Sequence, residues 1–269
     1  MLVFLSDVHL TDGSSGETIK PTAFNIFADG IRKLADTVKP LEEVRLVLLG
    51  DIFDIIRSTK WLTDDVRPWD SAGNNQQKRV ENILEEIMRN NYKSLEELRN
   101  LQKFADEKQV PFGITYVIGN HDWLINRYPS CRTMVSEALR ITDAGSEPFP
   151  SQLFEPGYKV FARHGDVYDP FNYMGNRDAS SIGDAIVIEL LNKYPQQVNE
   201  RLGKLVAAGS ITTDEKNRIT AQLKELDNIR PILNTPSWVL MVANKTENTA
   251  ARRVIEEACG SQWGSNLYH

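Results

Sequence analysis

Short apolar runs alternating with long helical patterns set the plan of this chain. Leu2-Val3-Phe4-Leu5 is apolar at every position, as a strand buried on both faces requires, and it runs straight into Asp7-Val8-His9. A polar, glycine-bearing loop over 11–20 follows, then a helix opened by Pro21-Thr22. Its apolar positions Phe27, Ile31, Leu34 and Val38 recur on one helical face, and Pro40 closes it. The next apolar run, Val44 to Leu49, ends in Gly50-Asp51-Ile52-Phe53-Asp54. Strand, helix and strand in this rhythm predict an α/β fold with a parallel sheet.

From Arg57 to Gly73 the pattern turns irregular and polar, and it contains Trp61 and Trp69, which read as packing anchors or as substrate contacts. Two helices follow, one with the stripe Val80, Ile83, Leu84, Ile87 and Met88, the other with Leu95, Leu98, Gln102 and Ala105. Residues 57–108 therefore read as a helical insertion after the second strand. A third strand, Ile114 to Ile118, terminates in Gly119-Asn120-His121-Asp122. The helix after it carries Cys131, Met134, Val135, Ala138 and Leu139 on one face, which puts Cys131 in the core. A fourth strand, Tyr158 to Ala162, leads into Arg163-His164-Gly165-Asp166.

Beyond Pro170 the pattern is almost wholly helical. Ile182, Ala185, Ile186, Val187, Ile188, Leu190 and Leu191 cover most of a helix circumference. The 182–191 helix is expected to be core, with a lipid-accepting cleft or a dimer seam as the alternatives. Further helices are predicted over 199–208, over 213–228 with Thr213 as cap, and over 246–259.

A length of 269 residues accommodates one sizeable α/β domain with an embellishment, or two small domains. Hydrophobic content of 41% and charged content of 25% are those of a globular protein. A net charge of −6 and a pI near 5.4 give no general attraction to nucleic acid or to an anionic membrane, although a local basic groove stays open. The two cysteines, Cys131 and Cys259, form no CxxC pair, so neither a thiolate zinc site nor a disulfide framework is signalled, and a cytoplasmic location is expected. The apolar start lacks a basic n-region, and no run approaches the roughly 18–20 apolar residues of a spanning helix.

Every strand thus delivers an acid, a histidine or both at its C-terminal end, the edge at which open α/β sheets bind ligands. Alone, Asp7-Val8-His9 reads equally as a capping acid beside a solvated histidine. Taken together, carboxylate, imidazole and amide oxygen without thiolate suit divalent ions such as Mn²⁺, Fe²⁺ or Zn²⁺. One bridging acid would hold two such ions about 3.5–4 Å apart.

The ordered motifs D-x-H at Asp7 to His9, G-D-x-x-D at Gly50 to Asp54, G-N-H-D at Gly119 to Asp122 and the histidine of His164-Gly165-Asp166 resemble the calcineurin-like metallophosphoesterase superfamily. The resemblance covers roughly residues 1–169. It implies a metallophosphoesterase-type αββα sandwich over 1–169 and a helical cap over 170–269. It further implies that Asp7, His9 and Asp51 hold one metal, and that Asp51 bridges to a second, held also by Asn120 and His164. The expected ions are two Mn²⁺, with Fe or Zn²⁺ as alternatives. His121 is expected over the scissile phosphate as hydrogen-bond or proton donor, oriented by Asp122, with Asp54 and Asp166 standing behind the ligands. The implied reaction is hydrolysis of a small phosphomonoester or phosphodiester by hydroxide bridging the two ions. The alternatives are a non-catalytic scaffold of the same fold and, further off, a nucleotide-lipid pyrophosphohydrolase or a nuclease.

Two departures qualify the resemblance. The family's last motif, G-H-x-H, is absent, since the histidines are His9, His121, His164 and His269 and none follows a glycine. Three protein ligands hold a catalytic metal less tightly than four. We expect a chain that stops short of the returning strand. The alternative is a complete protein with a weakened or altered site; substitution by the terminal His269 is the less favoured idea. The second departure is Gly175-Asn176-Arg177-Asp178, a G-N-R-D that serves as third motif in UDP-2,3-diacylglucosamine pyrophosphohydrolases. Here it follows His164 with no strand before it and reads as a turn and helix cap, and His121 stands where those enzymes have arginine, which weighs against a lipid-A-type substrate.

Overall fold

A computed structural model describes residues 1–16, 18–141, 147–229 and 234–260. His269 lies outside the described residues. The fold is mixed α/β and divides into two compact units, Met1–Asp184 and Ala185–His269.

In the first unit β1 (Leu2–Leu5), β2 (Val44–Leu49) and β3 (Phe112–Val117) form a parallel sheet in the order β1-β2-β3. Leu5 stands opposite Leu48, and Leu49 opposite Val117, so the three strands end level and their loops share one edge. Central β2 holds the core, with Val44, Leu46, Val47 and Leu48 buried. The edge strand β1 is less covered, and its Phe4 is exposed.

The β1–β2 crossover is α1 (Pro21–Thr37), with Pro21 pre-set at its first turn. Its buried face is Phe24, Ala28, Ile31 and Ala35. The expected stripe is rotated from this face: only Ile31 is common to both, and Leu34 and Val38 are exposed. Two of these four buried positions are alanines, and α1 packs against α3 (Tyr92–Glu107). The insertion contains α2 (Asn74–Asn90) as well as α3, and α2 buries Val80, Ile83, Leu84 and Ile87 as the pattern predicts. Trp61 is fully buried and donates from Nε1 to Ile55 O at 2.8 Å, whereas Trp69 is exposed.

After β3 come α4 (Trp123–Arg127) and α5 (Pro129–Leu139), the latter burying Cys131, Val135 and Leu139. The expected fourth strand is shorter than its apolar pattern and lies outside the parallel sheet. Pro156 and Gly157 form a 3-10 turn and Lys159 takes a left-handed conformation, leaving β5 (Val160–Ala162) to pair antiparallel with β4 (Leu153–Glu155). The segment from residue 169 to Asp184 stays with the first unit. Arg177 is paired with Asp166, Arg127 with Asp178, and Trp123 donates to Asp184.

The second unit is helical. A π-helix (Ile186–Asn192) follows α6 (Ile182–Ala185) and leads into α7 (Lys193–Ala207), α8 (Thr213–Leu223), α9 (Thr235–Lys245) and α10 (Thr249–Cys259). Val187, Ile188, Leu190 and Leu191 are buried, and Ile182 is exposed. Tyr194, Val198, Leu202, Ile219, Val239 and Ile255 are central to the core, where Tyr194 Oη donates to Ile255 O at 3.2 Å. The cap of α8 is Thr212, one residue before the expected Thr213: its hydroxyl accepts from Glu215 N–H at 3.1 Å. Among the described residues no helix is long and apolar enough to cross a membrane.

Candidate metal centre

The loops at the level ends of β1, β2 and β3 are knitted together by their backbones. Asp7 N–H donates to Gly50 O at 3.2 Å, His9 N–H to Asp51 O at 2.9 Å, Asp54 N–H to Leu10 O at 2.9 Å and Ile55 N–H to His121 O at 3.1 Å. Asp7, His9 and Asp51 sit at φ of 54°, 49° and 55°. Each such non-glycine residue costs on the order of 1–3 kcal/mol and persists only where surrounding contacts enforce it. Three of them, all motif residues, meet here. Gly119 is required by closeness: a Cβ there would stand 2.7 Å from Asp51 N and collide with Asp51 Oδ1.

Asp51 lies at the centre of the cluster and is 2% exposed. Its Oδ1 accepts from His121 N–H at 2.8 Å. Its Oδ2 lies 3.3 Å from His164 Nε2 and 3.8 Å from His9 Nε2. Burial alone would raise the Asp51 carboxyl, but the surrounding histidines, His121 first, hold it below the ordinary carboxylate value. His164 feels the reciprocal effect: burial opposes its charge, yet Asp51 pushes it up to about 9.

Each histidine is oriented by an oxygen. His164 donates from Nδ1 to Leu49 O at 3.0 Å, leaving Nε2 facing Asp51 and, at 3.2 Å, Asn120 Oδ1. Asp54, fully buried, receives His9 Nδ1 on Oδ2 and His121 Nδ1 on Oδ1, both at 2.8 Å, and the two rings meet edge to face with centroids 4.8 Å apart. A carboxylate or carbonyl on one ring nitrogen with the other turned inward is how proteins commonly set a histidine to receive a cation. Burial would raise Asp54, but His121 and His9 hold it well below the carboxylate range. Despite its own burial His121 is pushed up to about 10 by Asp54 and Asp51.

Asp122 does not orient His121, as the resemblance leads one to expect; Asp54 does. The Asp122 carboxylate is fully buried and accepts from Gly119 N–H at 2.6 Å, Ile52 N–H at 3.1 Å and Tyr116 Oη at 2.5 Å. It thereby ties the β2 loop to the β3 loop. Burial and the Asp51 charge raise it to about 6. Asp166 is bound to Arg177 by two hydrogen bonds, one of 2.9 Å, so the arginine of the G-N-R-D stretch is the partner of a buried acid and caps no helix.

Two groups of acid and imidazole have ligand atoms within 4.8 Å of one another: His9, Asp51 and His121, and Asp7, Asp51 and His164. These groups can hold a metal ion. The partition differs from the expected one, since Asp7 stands with His164 and His121 joins His9. Donor chemistry fits a borderline or hard divalent ion. The 3.3 Å between Asp51 Oδ2 and His164 Nε2 fits an edge of a tetrahedral site, roughly 3.3 Å for bonds of about 2.0–2.1 Å. Asp51 belongs to both groups, as a bridging ligand must.

Tyr116 and Asp184 also belong to the site and are not singled out by the motifs. Tyr116 is a phenol near the end of an apolar strand, and Asp184 completes a Ser-x-x-Asp capping box that the sequence displays at Ser181. Compared with known proteins, the chain matches no family model, no curated protein and no solved structure.

Proposed function

We propose that the chain hydrolyses phosphoesters with two divalent cations held around Asp51, on a metallophosphoesterase-type αββα sandwich with a helical cap. The observation that carries this reading is the Asp51 carboxylate, one buried acid whose Oδ2 faces His9 Nε2 at 3.8 Å and His164 Nε2 at 3.3 Å from two separate segments. Asp51 would serve both ligand sets, with Asp7 and His164 beside it in one and His9 in the other, and Asn120 adjoins His164; Mn²⁺ is the expected ion, with Fe or Zn²⁺ the alternatives. When bound, the cations supply Lewis acidity at the phosphoryl oxygens of a small phosphomonoester or phosphodiester. His121, anchored through Nδ1 on Asp54, offers its other nitrogen to the leaving oxygen as a hydrogen-bond or proton donor. Asp54 stabilises the imidazolium charge and keeps the ring aimed. Asp122 contributes by joining the two loops that carry Asp51 and His121.

The test is turnover of p-nitrophenyl phosphate and bis(p-nitrophenyl) phosphate by protein loaded with Mn²⁺, Fe²⁺ or Zn²⁺. Asp51→Asn and His121→Ala should each lower kcat by about 100-fold or more. Absence of turnover with all three ions refutes the enzyme. A protein that folds and does not turn over is the scaffold reading.

A further inference from the structure

Asp184 is the third residue of α6 and the partner of its capping serine. It ends the first unit and is 2% exposed. In the capping box of α6, Ser181 Oγ accepts from Asp184 N–H at 3.2 Å, and Asp184 Oδ2 accepts from Ser181 N–H at 3.2 Å. Those two bonds complete the box. The same Oδ2 also accepts from Ser180 Oγ at 2.7 Å and from Trp123 Nε1 at 3.0 Å.

Trp123 is the residue after Asp122 and the first of α4. Its indole is held at the edge by Asp184 and on the face by Arg127, whose guanidinium lies 4.7 Å from the ring centroid. Arg127 is itself fixed, donating to Asp178 Oδ1 at 2.7 Å and to Asp178 O at 2.8 Å. Asn120, Trp123, Arg177 and Asp184 line one small recess, so the indole and the amide expected to serve as a metal ligand face the same space. The intervening turn is short: His121 N–H is bonded to Asp51 Oδ1, Gly119 N–H to Asp122 Oδ1, and the indole follows at once.

We propose that Asp184 is a positioning residue which, through Trp123, fixes the turn from Gly119 to Asp122 and with it the aim of Asn120 and His121. Asp184 meets no reacting atom. Its consequence for turnover rests on the phosphoester reading above; the mechanical tie does not.

Hydrogen exchange of the peptide spanning the turn, followed by mass spectrometry on metal-free protein, tests the tie without any activity. Trp123→Phe keeps the ring and deletes the donor, Asp184→Ala removes the acceptor, and Ser181→Ala breaks the capping box alone. Exchange of the turn amides should accelerate about fivefold or more in Trp123→Phe and Asp184→Ala and less than about twofold in Ser181→Ala. The double variant should go no further than the worse single one, because both break one contact. In Mn²⁺-loaded protein those two variants should lose about tenfold in kcat with KM within about twofold. Unchanged turn exchange in both variants overturns the inference, and so does Ser181→Ala matching Asp184→Ala, which would reduce Asp184 to the partner of the capping serine. Faster exchange with kcat intact in an active protein overturns the positioning role. Faster exchange in a protein whose wild type turns nothing over sustains the tie and defeats the phosphoester reading instead.

Discussion

Replacing Asp122 by alanine should be among the most damaging single changes in the first unit. The carboxylate is fully buried and satisfies three donors, Gly119 N–H at 2.6 Å, Ile52 N–H at 3.1 Å and Tyr116 Oη at 2.5 Å. At about 1–1.5 kcal/mol for each buried donor left without a partner, the loss comes to roughly 3–4.5 kcal/mol. For a unit of this size that lowers the melting temperature by about 6–18 °C. The coupling is as diagnostic as the size. Tyr116→Phe should cost about 1 kcal/mol in the wild type and close to nothing beside Asp122→Ala, where the phenol has already lost its acceptor. The pH dependence has a defined sign. Asp122 is raised to about 6 from 3.8, so its ionised form carries a cost at pH 7 that fades as pH falls through about 6. The deficit of Asp122→Ala should therefore be larger at pH 5 than at pH 7. Urea unfolding of the two single variants and the double variant, followed by circular dichroism at both pH values, reads all three quantities. A deficit under about 0.5 kcal/mol, or strict additivity with Tyr116→Phe, would refute the bonding scheme.

Two further outcomes follow from the same geometry. Gly119→Ala places a methyl 2.7 Å from Asp51 N and onto Asp51 Oδ1, so it should destabilise the protein by about 1–3 kcal/mol and weaken Mn²⁺ binding in a calorimetric titration; unaltered affinity would show that Gly119 does not crowd that carboxylate. Arg177→Ala leaves Asp166 buried without its cation and should cost about 3 kcal/mol in chemical denaturation, whereas Arg177→Lys should recover only part of that because the paired hydrogen bonds need a guanidinium.

What could be read from the amino-acid order was the scaffolding of the site. The mostly apolar β2, interrupted only by Arg45, and its neighbours announce a parallel sheet, and the acids and histidines at their ends do gather at one edge. Pairings between distant side chains were not legible. Asp54 reaches His9 across 45 positions and His121 across 67, and no local pattern encodes which acid takes which ring. A small-residue face was misread in α1, because Phe27, Leu34 and Val38 outweigh Ala28 and Ala35 in hydropathy. The fourth strand is two residues shorter than expected, since Tyr158 completes the turn begun at Pro156 and Lys159 takes a left-handed conformation. Helix α9 went unread although Pro236 stands in its first turn and Val239, Val242 and Ala243 mark its buried face.

The central claim is that Asp51 joins two cations, and electron paramagnetic resonance of the Mn²⁺-loaded protein tests it most directly. Two ions sharing a carboxylate at about 3.5–4 Å are exchange-coupled. The wild type at two equivalents of Mn²⁺ should give a coupled dinuclear spectrum, and Asp51→Asn should give only the six-line signal of isolated ions. A six-line spectrum from the wild type at every loading would contradict the account.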